Sequence, residues 1–441
     1  MSDMISGKEW TPFVNNSKES ASLEVLKAWV GKQNNNTMLI DLPWSMGIYI
    51  DQYDRLCPSH FVGITALEQI TLVIQPRFPD VDVGTMFIEA AASGFLDLEK
   101  SFACRPEESL DVPNDDFSKD LTLIQVLAYL ATLSRFVERH LRKDFVKVRE
   151  NLSGRIRGRI LIADQLRHNV SRGLEHRMMC DYSVMSCDAL ENRILKAALE
   201  TASRWLDSVP GLTPGKERTW INCARAALAE VPNYTPQARD WQQVRKHGLM
   251  HAYARPLALA RMILSRLRVN HDGRVINIGK VTPFYLDMNQ LFEAWTGVWL
   301  VKAGINPQAQ TERTLKIADQ SITFRPDYIF TNRDNDEYKG IVLDAKYKPV
   351  YTEDTGKKHE IINADVYQVL AYSHLLNLTS AGTNLPQIVE AWLIFPDKSS
   401  AEPFKNAEDS WKNRKNRNES PSTPSIYFGI FGIPMPGSKS P

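Results

Sequence analysis

The hydrophobic periodicity of this chain changes twice, and no uniform architecture accommodates both changes. Up to about residue 100 the apolar residues form short β-branched runs, TMLIDL, MGIYI, HFVGITAL and ITLVIQPRF, separated by turn residues such as those at 51–55. Thr71, Val73 and Gln75 alternate with Leu72, Ile74 and Pro76, the period of a half-buried strand that Pro76 ends. From Leu121 to Phe145 the spacing turns helical, with Ile124, Leu127, Leu130, Leu133, Phe136, Val137 and Leu141 on one face. Helical spacing continues through Asp188–Leu206, Thr213–Val231 and Arg255–Leu267, with Pro214 and Pro256 in the first turns of the last two. After Val275 the elements mix: helix DMNQLFEAWTGVWLVKAG, strands ITFRPDYIF and GIVLDAKYK, then helix ADVYQVLAYSHLLNL. The predicted class is α/β, α+β overall. It comprises a β-rich module over 1–110, a mainly helical middle over 111–275, and a mixed sheet flanked by helices over 276–441.

At 441 residues the chain exceeds one ordinary domain of roughly 100–200 residues. Its 43% hydrophobic and 24% charged content excludes wholesale disorder and a fibrous architecture. Lys and Arg number 53 against 52 Asp and Glu, so no overall basicity announces a nucleic-acid binder. Neutrality leaves a nuclease possible, because carboxylates that hold metal offset the basic residues that meet phosphate. The five cysteines are scattered and never in a CxxC arrangement, which argues against a zinc site or a disulfide framework and for reduced thiols in a cytoplasm. MSDMISGKEW lacks the basic-then-apolar pattern of a secretory signal, and no span of about 18 apolar residues reads as a membrane helix, so no membrane partner is expected. SGRIRGRI puts Arg155, Arg157 and Arg159 on one strand face, a basic stripe for phosphate or an acidic partner, or a solvated face. In the polar tail IYFGIFGI reads as one more strand, and WKNRKNRN as a solvated loop or a DNA contact.

The chemistry concentrates in GIVLDAKYK. At period two, Asp344 and Lys346 emerge on one strand face and Leu343 and Ala345 on the other. Upstream, Asp327 follows Pro326 in FRPDYIF, and the polar TNRDNDEYK between the strands is suited to a hairpin that folds Asp327 toward Asp344. Two converging carboxylates repel unless protonated or neutralised, and Mg2+, a hard oxygen-seeking cation, neutralises them. Lys346 would then orient or help deprotonate the attacking water, which is the chemistry of phosphodiester hydrolysis. Gln368 and Tyr372 share a helical face, Asp365 lies one turn before, and Glu293 on LFEAWTGVWL is a further carboxylate that could reach the same site. A D-x-K at a strand end is more often a salt-bridge pattern than a catalytic one. The order Glu, PD, DAK, Q-x-x-x-Y, each on the element a site requires, carries the reading.

At these residues the chain resembles the McrC family, nuclease subunits of McrBC restriction systems that attack modified-cytosine DNA. LDMNQLFEAW, RPDY, LDAKYK and DVYQVLAY resemble the family's nuclease motifs. FVGITALEQITLVIQPRF, LSGRIRGRILI and ENRILKAAL extend the likeness over about 60–375, leaving the first fifty residues and the tail outside it. The resemblance implies a PD-(D/E)xK, restriction-endonuclease-like domain with metal binding by Asp327 and Asp344, water activation by Lys346, and support from Glu293 and Gln368. Asp344 stands where many relatives have Glu. It also implies double-stranded DNA as substrate and a hexameric, McrB-like AAA+ GTPase as partner, which the chain docks on and stimulates through its first 270 or so residues, the β-rich module included. No G-x-x-x-x-G-K-S/T loop is present: before GLTPGKERT stands Pro210, where the first glycine belongs, and Glu217 takes the place of Ser or Thr. Two alternatives stay open, a stand-alone RecB-like nuclease and a non-catalytic activator of an NTPase.

Overall fold

The computed structural model describes residues 3–13, 20–33, 43–67, 69–78, 81–111, 116–209, 215–245, 248–269, 275–277, 280–310, 312–317, 320–334, 337–348, 363–379, 387–397 and 426–437. The chain is mixed α/β and divides into two compact units. One unit joins Met1–Cys104 to Pro283–Pro441, and the other is Arg105–Thr282. The boundaries read from sequence, near 110 and 275, separated three segments in series, whereas the two outer segments pack as a single body.

The reason is a strand exchange. Phe284–Asp287, just before the helix Met288–Lys302, inserts antiparallel between Phe61–Leu67 and Phe102–Cys104. The five-stranded sheet therefore runs Asp3–Lys8, Ile70–Gln75, Phe61–Leu67, Phe284–Asp287, Phe102–Cys104. Gly63 makes the insertion possible: at φ +145° it faces Phe284, whose carbonyl oxygen would sit 2.3 Å from any Cβ. Ile70–Ile74 is buried on both faces, so the half-buried expectation for this strand fails. The first hundred residues also hold helices, Ser20–Gln33 and Val83–Ser93. The second has its own local code, an Asp82 carboxylate accepting from Thr85 N–H at 2.9 Å and Gly94 in the left-handed conformation at its end.

The same unit holds a second five-stranded sheet, ordered Gln308–Ala309, Tyr328–Asp334, Glu337–Ala345, Ile388–Asp397, Tyr427–Pro434. Its first two pairings are antiparallel and the last two parallel. The central strand buries Ile341, Val342, Leu343 and Asp344 in succession, the mark of a strand covered on both faces. The helix Asn363–Thr379 packs on it, sinking Val369 and Leu376 among Ile329, Val342, Ala391 and Leu393. IYFGIFGI supplies the last strand, as read from sequence, whereas WKNRKNRN lies outside the described residues.

In Arg105–Thr282, helices Asp116–His140, Leu190–Asp207, Glu217–Ala227 and Ala254–Arg266 form the core. Leu121–His140 is long and apolar enough to cross a membrane, contrary to the sequence reading, but 83% of its apolar 18-residue window is buried inside the protein. The first of these helices stops at His140, and Phe145 is instead an exposed residue of the strand Asp144–Ser153. That strand and Arg159–Ile160 flank Arg177–Ser186 in a three-stranded sheet. Of the three alternating arginines only Arg159 is in a strand, because Gly154 and Gly158, both at positive φ, bend the segment between them. Arg157 lies over the Tyr182 ring at 4.5 Å. The Pro214 opening of the third helix lies outside the described residues.

Candidate active site

Two neighbouring strand ends assemble the site. Tyr328 pairs with Leu343, so the residue before the first strand, Asp327, stands beside Asp344 near the end of the second. One hydrogen bond fixes this arrangement: Asp327 Oδ2 accepts from the Ala345 N–H at 2.7 Å. Lys346 continues the line by donating its N–H to the Ile394 carbonyl at 2.8 Å, which keeps the chain extended past the strand's last residue. Its side chain therefore returns to the Asp344 face, as period two demands, and Nζ lies 2.8 Å from Asp344 Oδ2.

Helices complete the ring of groups. Lys346 Nζ donates to Gln368 Oε1 at 3.1 Å, and Gln368 Nε2 donates to the Tyr372 hydroxyl at 2.8 Å, so the i, i+4 pair acts as one brace. Asp365, expected at the same site, pairs with Lys348 at 3.2 Å from both oxygens, and its charge also acts on Asp344 and Lys346. Glu293 is brought in by the helix Met288–Lys302, whose start is capped by Asp287 Oδ1 accepting from Gln290 N–H at 3.1 Å. Glu293 Oε1 accepts from Gln310 Nε2 at 2.5 Å, while the Gln310 N–H donates to the Asp327 carbonyl at 2.8 Å. Gln310 thus links two of the acids, and its φ of +45° is one of the few left-handed non-glycine conformations. Nothing in the sequence marked Gln310. Lys348 could have been found, since it is two residues beyond Lys346 on the same strand period.

Electrostatically the site is a frustrated cluster of acids. Burial raises the pKa of Asp344, which is 2% exposed, and the nearby Lys346 only partly opposes this. Asp327 is raised well above the usual carboxylate range by burial, then by the charges of Glu293 and Asp344. Glu293 is raised by burial too, with Asp344 and Asp287 adding to it. Burial lowers Lys346, but Asp344, Asp327 and Asp365 more than offset this, so its pKa is raised on balance. Such a cluster takes either a shared proton or a cation.

Among the described residues no group of three or more His, Cys, Asp or Glu side chains is arranged to hold a metal ion. Magnesium asks for less, because it keeps several waters and binds through one or two carboxylates plus substrate phosphate. Asp327 and Asp344 fit that smaller demand. Asp344 Oδ2 is buried and, among the described residues, accepts no well-aligned hydrogen bond, its charge being met by the Lys346 ammonium. A hard cation would supply the partner that this oxygen lacks.

Fold and site define a class: an α/β protein carrying a carboxylate pair and a lysine at adjacent strand ends of a mixed sheet. Residues 56–396 match the family of McrBC 5-methylcytosine restriction system components, and the chain belongs to that family. Among solved structures it is similar to a chain of the refined half-complex from the tetradecameric assembly of Thermococcus gammatolerans McrB AAA+ hexamers with bound McrC. That match has 18% identity, covers 98% of this chain and 94% of that one, and has a TM-score of 0.37. A chain of the Thermococcus gammatolerans McrBC complex matches at 19% identity over 69% of this chain and 89% of that one, with a TM-score of 0.32. No curated protein matches the chain.

Proposed function

We propose that this chain is the DNA-cutting subunit of its restriction system, a PD-(D/E)xK-type, Mg2+-dependent endonuclease that acts on modified or foreign double-stranded DNA. The observation that carries the reading is the convergence of Asp327, Asp344 and Lys346, with Ala345 N–H held 2.7 Å from Asp327 and Lys346 Nζ 2.8 Å from Asp344. Asp327 and Asp344 would hold the ion. When bound, it would make a nearby water more acidic and offset negative charge on the phosphate. Lys346, as an ammonium, donates to and orients the attacking water or the phosphate oxygen, while Gln368 keeps it from folding wholly onto Asp344. Glu293 and Gln310 hold the rear of the acid cluster. The water oxygen joins phosphorus as its proton passes to solvent, the P–O ester bond to the leaving strand breaks, and the departing oxygen takes up a proton from solvent.

The partner in this reading is an McrB-like AAA+ GTPase, since the chain has no phosphate-binding loop of its own. Residues 1–104 pack in one body with the acid cluster, which makes Arg105–Thr282 the better candidate for docking and for stimulating the GTPase. Its three-stranded sheet and the short helix Ile162–His168 support this, the sheet exposing Phe145 at 72% and Met185 at 57% and the helix exposing Ile162 at 71%. A cytoplasmic setting accords with five cysteines that are all free thiols. The test is cleavage of methylcytosine-containing duplex by the chain with its GTPase and Mg2+. Cutting that is lost on chelation supports the proposal; cutting that persists without divalent metal sinks it, and cutting by the chain alone points to a stand-alone nuclease.

A further inference from the structure

The unit Arg105–Thr282 contains a cleft of about 1230 Å³ that the proposed reaction does not use. Its charge balance is lopsided. Lys196, Arg204, Arg261 and Arg268 line it, against the single acid Glu200. That acid is already spent: Arg225 grips it through two bonds, Nε to Oε1 at 3.0 Å and a terminal nitrogen to Oε2 at 2.9 Å. Arg261 is likewise committed, to Glu107. Lys196 donates to the Val231 carbonyl, which is not a counter-charge. Arg204 and Arg268 are exposed and have no carboxylate partner among the described residues. Three cations thus face one cavity without an anion to balance them, a local field that attracts a negatively charged ligand.

The aromatic content narrows the ligand. Trp241 lines the cleft, half-buried, with the Arg261 guanidinium 5.5 Å from its ring centroid. Tyr234 lies on the same wall, fixed by its hydroxyl donating to Asp240 Oδ2 at 2.7 Å. Cations that track a phosphate backbone beside fixed rings that stack bases are the pairing by which proteins hold single strands. Bases inside a duplex are stacked and paired, so rings recessed in a cleft meet only an unpaired base. The volume exceeds the roughly 300–1,000 Å³ that enclose a small ligand.

We propose that this cleft binds a short stretch of single-stranded nucleic acid, with Arg204 and Arg268 on its phosphates and Trp241 against a base. The site is separate from the acid cluster and does not rest on the nuclease reading. The experiment measures anisotropy of a labelled oligothymidine with the full chain, in an Asp344→Ala background so that probe integrity is not in question. The doubly substituted Arg204→Ala, Arg268→Ala chain is expected to bind at least tenfold more weakly. Its slope of log affinity against log salt should be shallower by about 1.4, the release from two single-strand phosphates. Trp241→Ala should lose about tenfold while Trp241→Phe retains most of the binding. The Arg204→Lys, Arg268→Lys chain separates charge from fold, and should keep the salt slope. Wild-type affinity and slope in the alanine variant would overturn the proposal. So would a variant that keeps oligothymidine binding but loses affinity for the GTPase partner, which would make the cleft an acidic-protein site.

Discussion

Lys346 meets two different demands, and the residues around it show how they are reconciled. Its ammonium neutralises Asp344 at 2.8 Å and is also held by Gln368 at 3.1 Å. Gln368→Ala should therefore lower the cleavage rate roughly 10- to 100-fold with little change in DNA affinity, because it displaces a positioned group rather than removing a charge. Single-turnover rates beside binding isotherms check this. The acids make a second prediction. Asp327, Asp344 and Glu293 all have raised pKa values from burial, so they bind protons more readily folded than unfolded. Protons compete with Mg2+ for them, and the rise in melting temperature given by Mg2+ should shrink as the pH falls from about 8 to about 6. A shift that grows in acid would mean that other groups bind the ion. Asp327, Asp344, Lys346 and the Gln368–Tyr372 brace were legible in the sequence, since periods of 2 and 3.6 fix which residues share a face. Gln310 and the Lys348–Asp365 pair were missed, for their contacts depend on how separate elements dock.

At the scale of elements, the segment that follows the strand Glu337–Ala345 and bears the lysine is clamped by a distant part of the chain. Tyr347, 3% exposed, donates to Glu9 Oε1 at 2.6 Å, and Glu9 also accepts from the Arg77 N–H at 3.0 Å. This contact joins residues 338 positions apart, a separation no local pattern reveals. Burial lifts the Glu9 pKa from 4.5 to about 8. The folded state then holds a proton that the unfolded chain has released, so this contribution is present below about pH 4.5 and is lost as the pH rises toward 8. Glu9→Gln should remove from the stability curve a slope of up to about 1.4 kcal/mol per pH unit across that window. Urea melts of wild type and variant at several pH values measure it; parallel curves would refute it. Gly297 is a second joint. A Cβ there would lie 2.5 Å from the Tyr328 hydroxyl and 2.8 Å from the Phe95 ring. Gly297→Ala should cost about 1–3 kcal/mol through overpacking, and Tyr328→Phe in the same chain should recover part of it.

The whole molecule explains why local patterns gave the elements but not their grouping. Phe284–Asp287 reads as the opening of the C-terminal region, yet its partners are Phe61–Leu67 and Phe102–Cys104. A strand's alternation specifies its faces and not its neighbours, so the joining of 1–104 to the acid-bearing sheet stayed hidden. With the acid cluster in one unit and the proposed docking surface in the other, cutting and partner stimulation should be separable. The most direct measurement takes Asp344→Ala and Lys346→Ala chains, each reconstituted with the AAA+ partner, and records DNA cleavage and GTP hydrolysis in the same reaction. The account predicts that cleavage disappears while partner binding and stimulated hydrolysis stay near wild type. Cleavage by either variant, or loss of stimulation in a folded one, would contradict it.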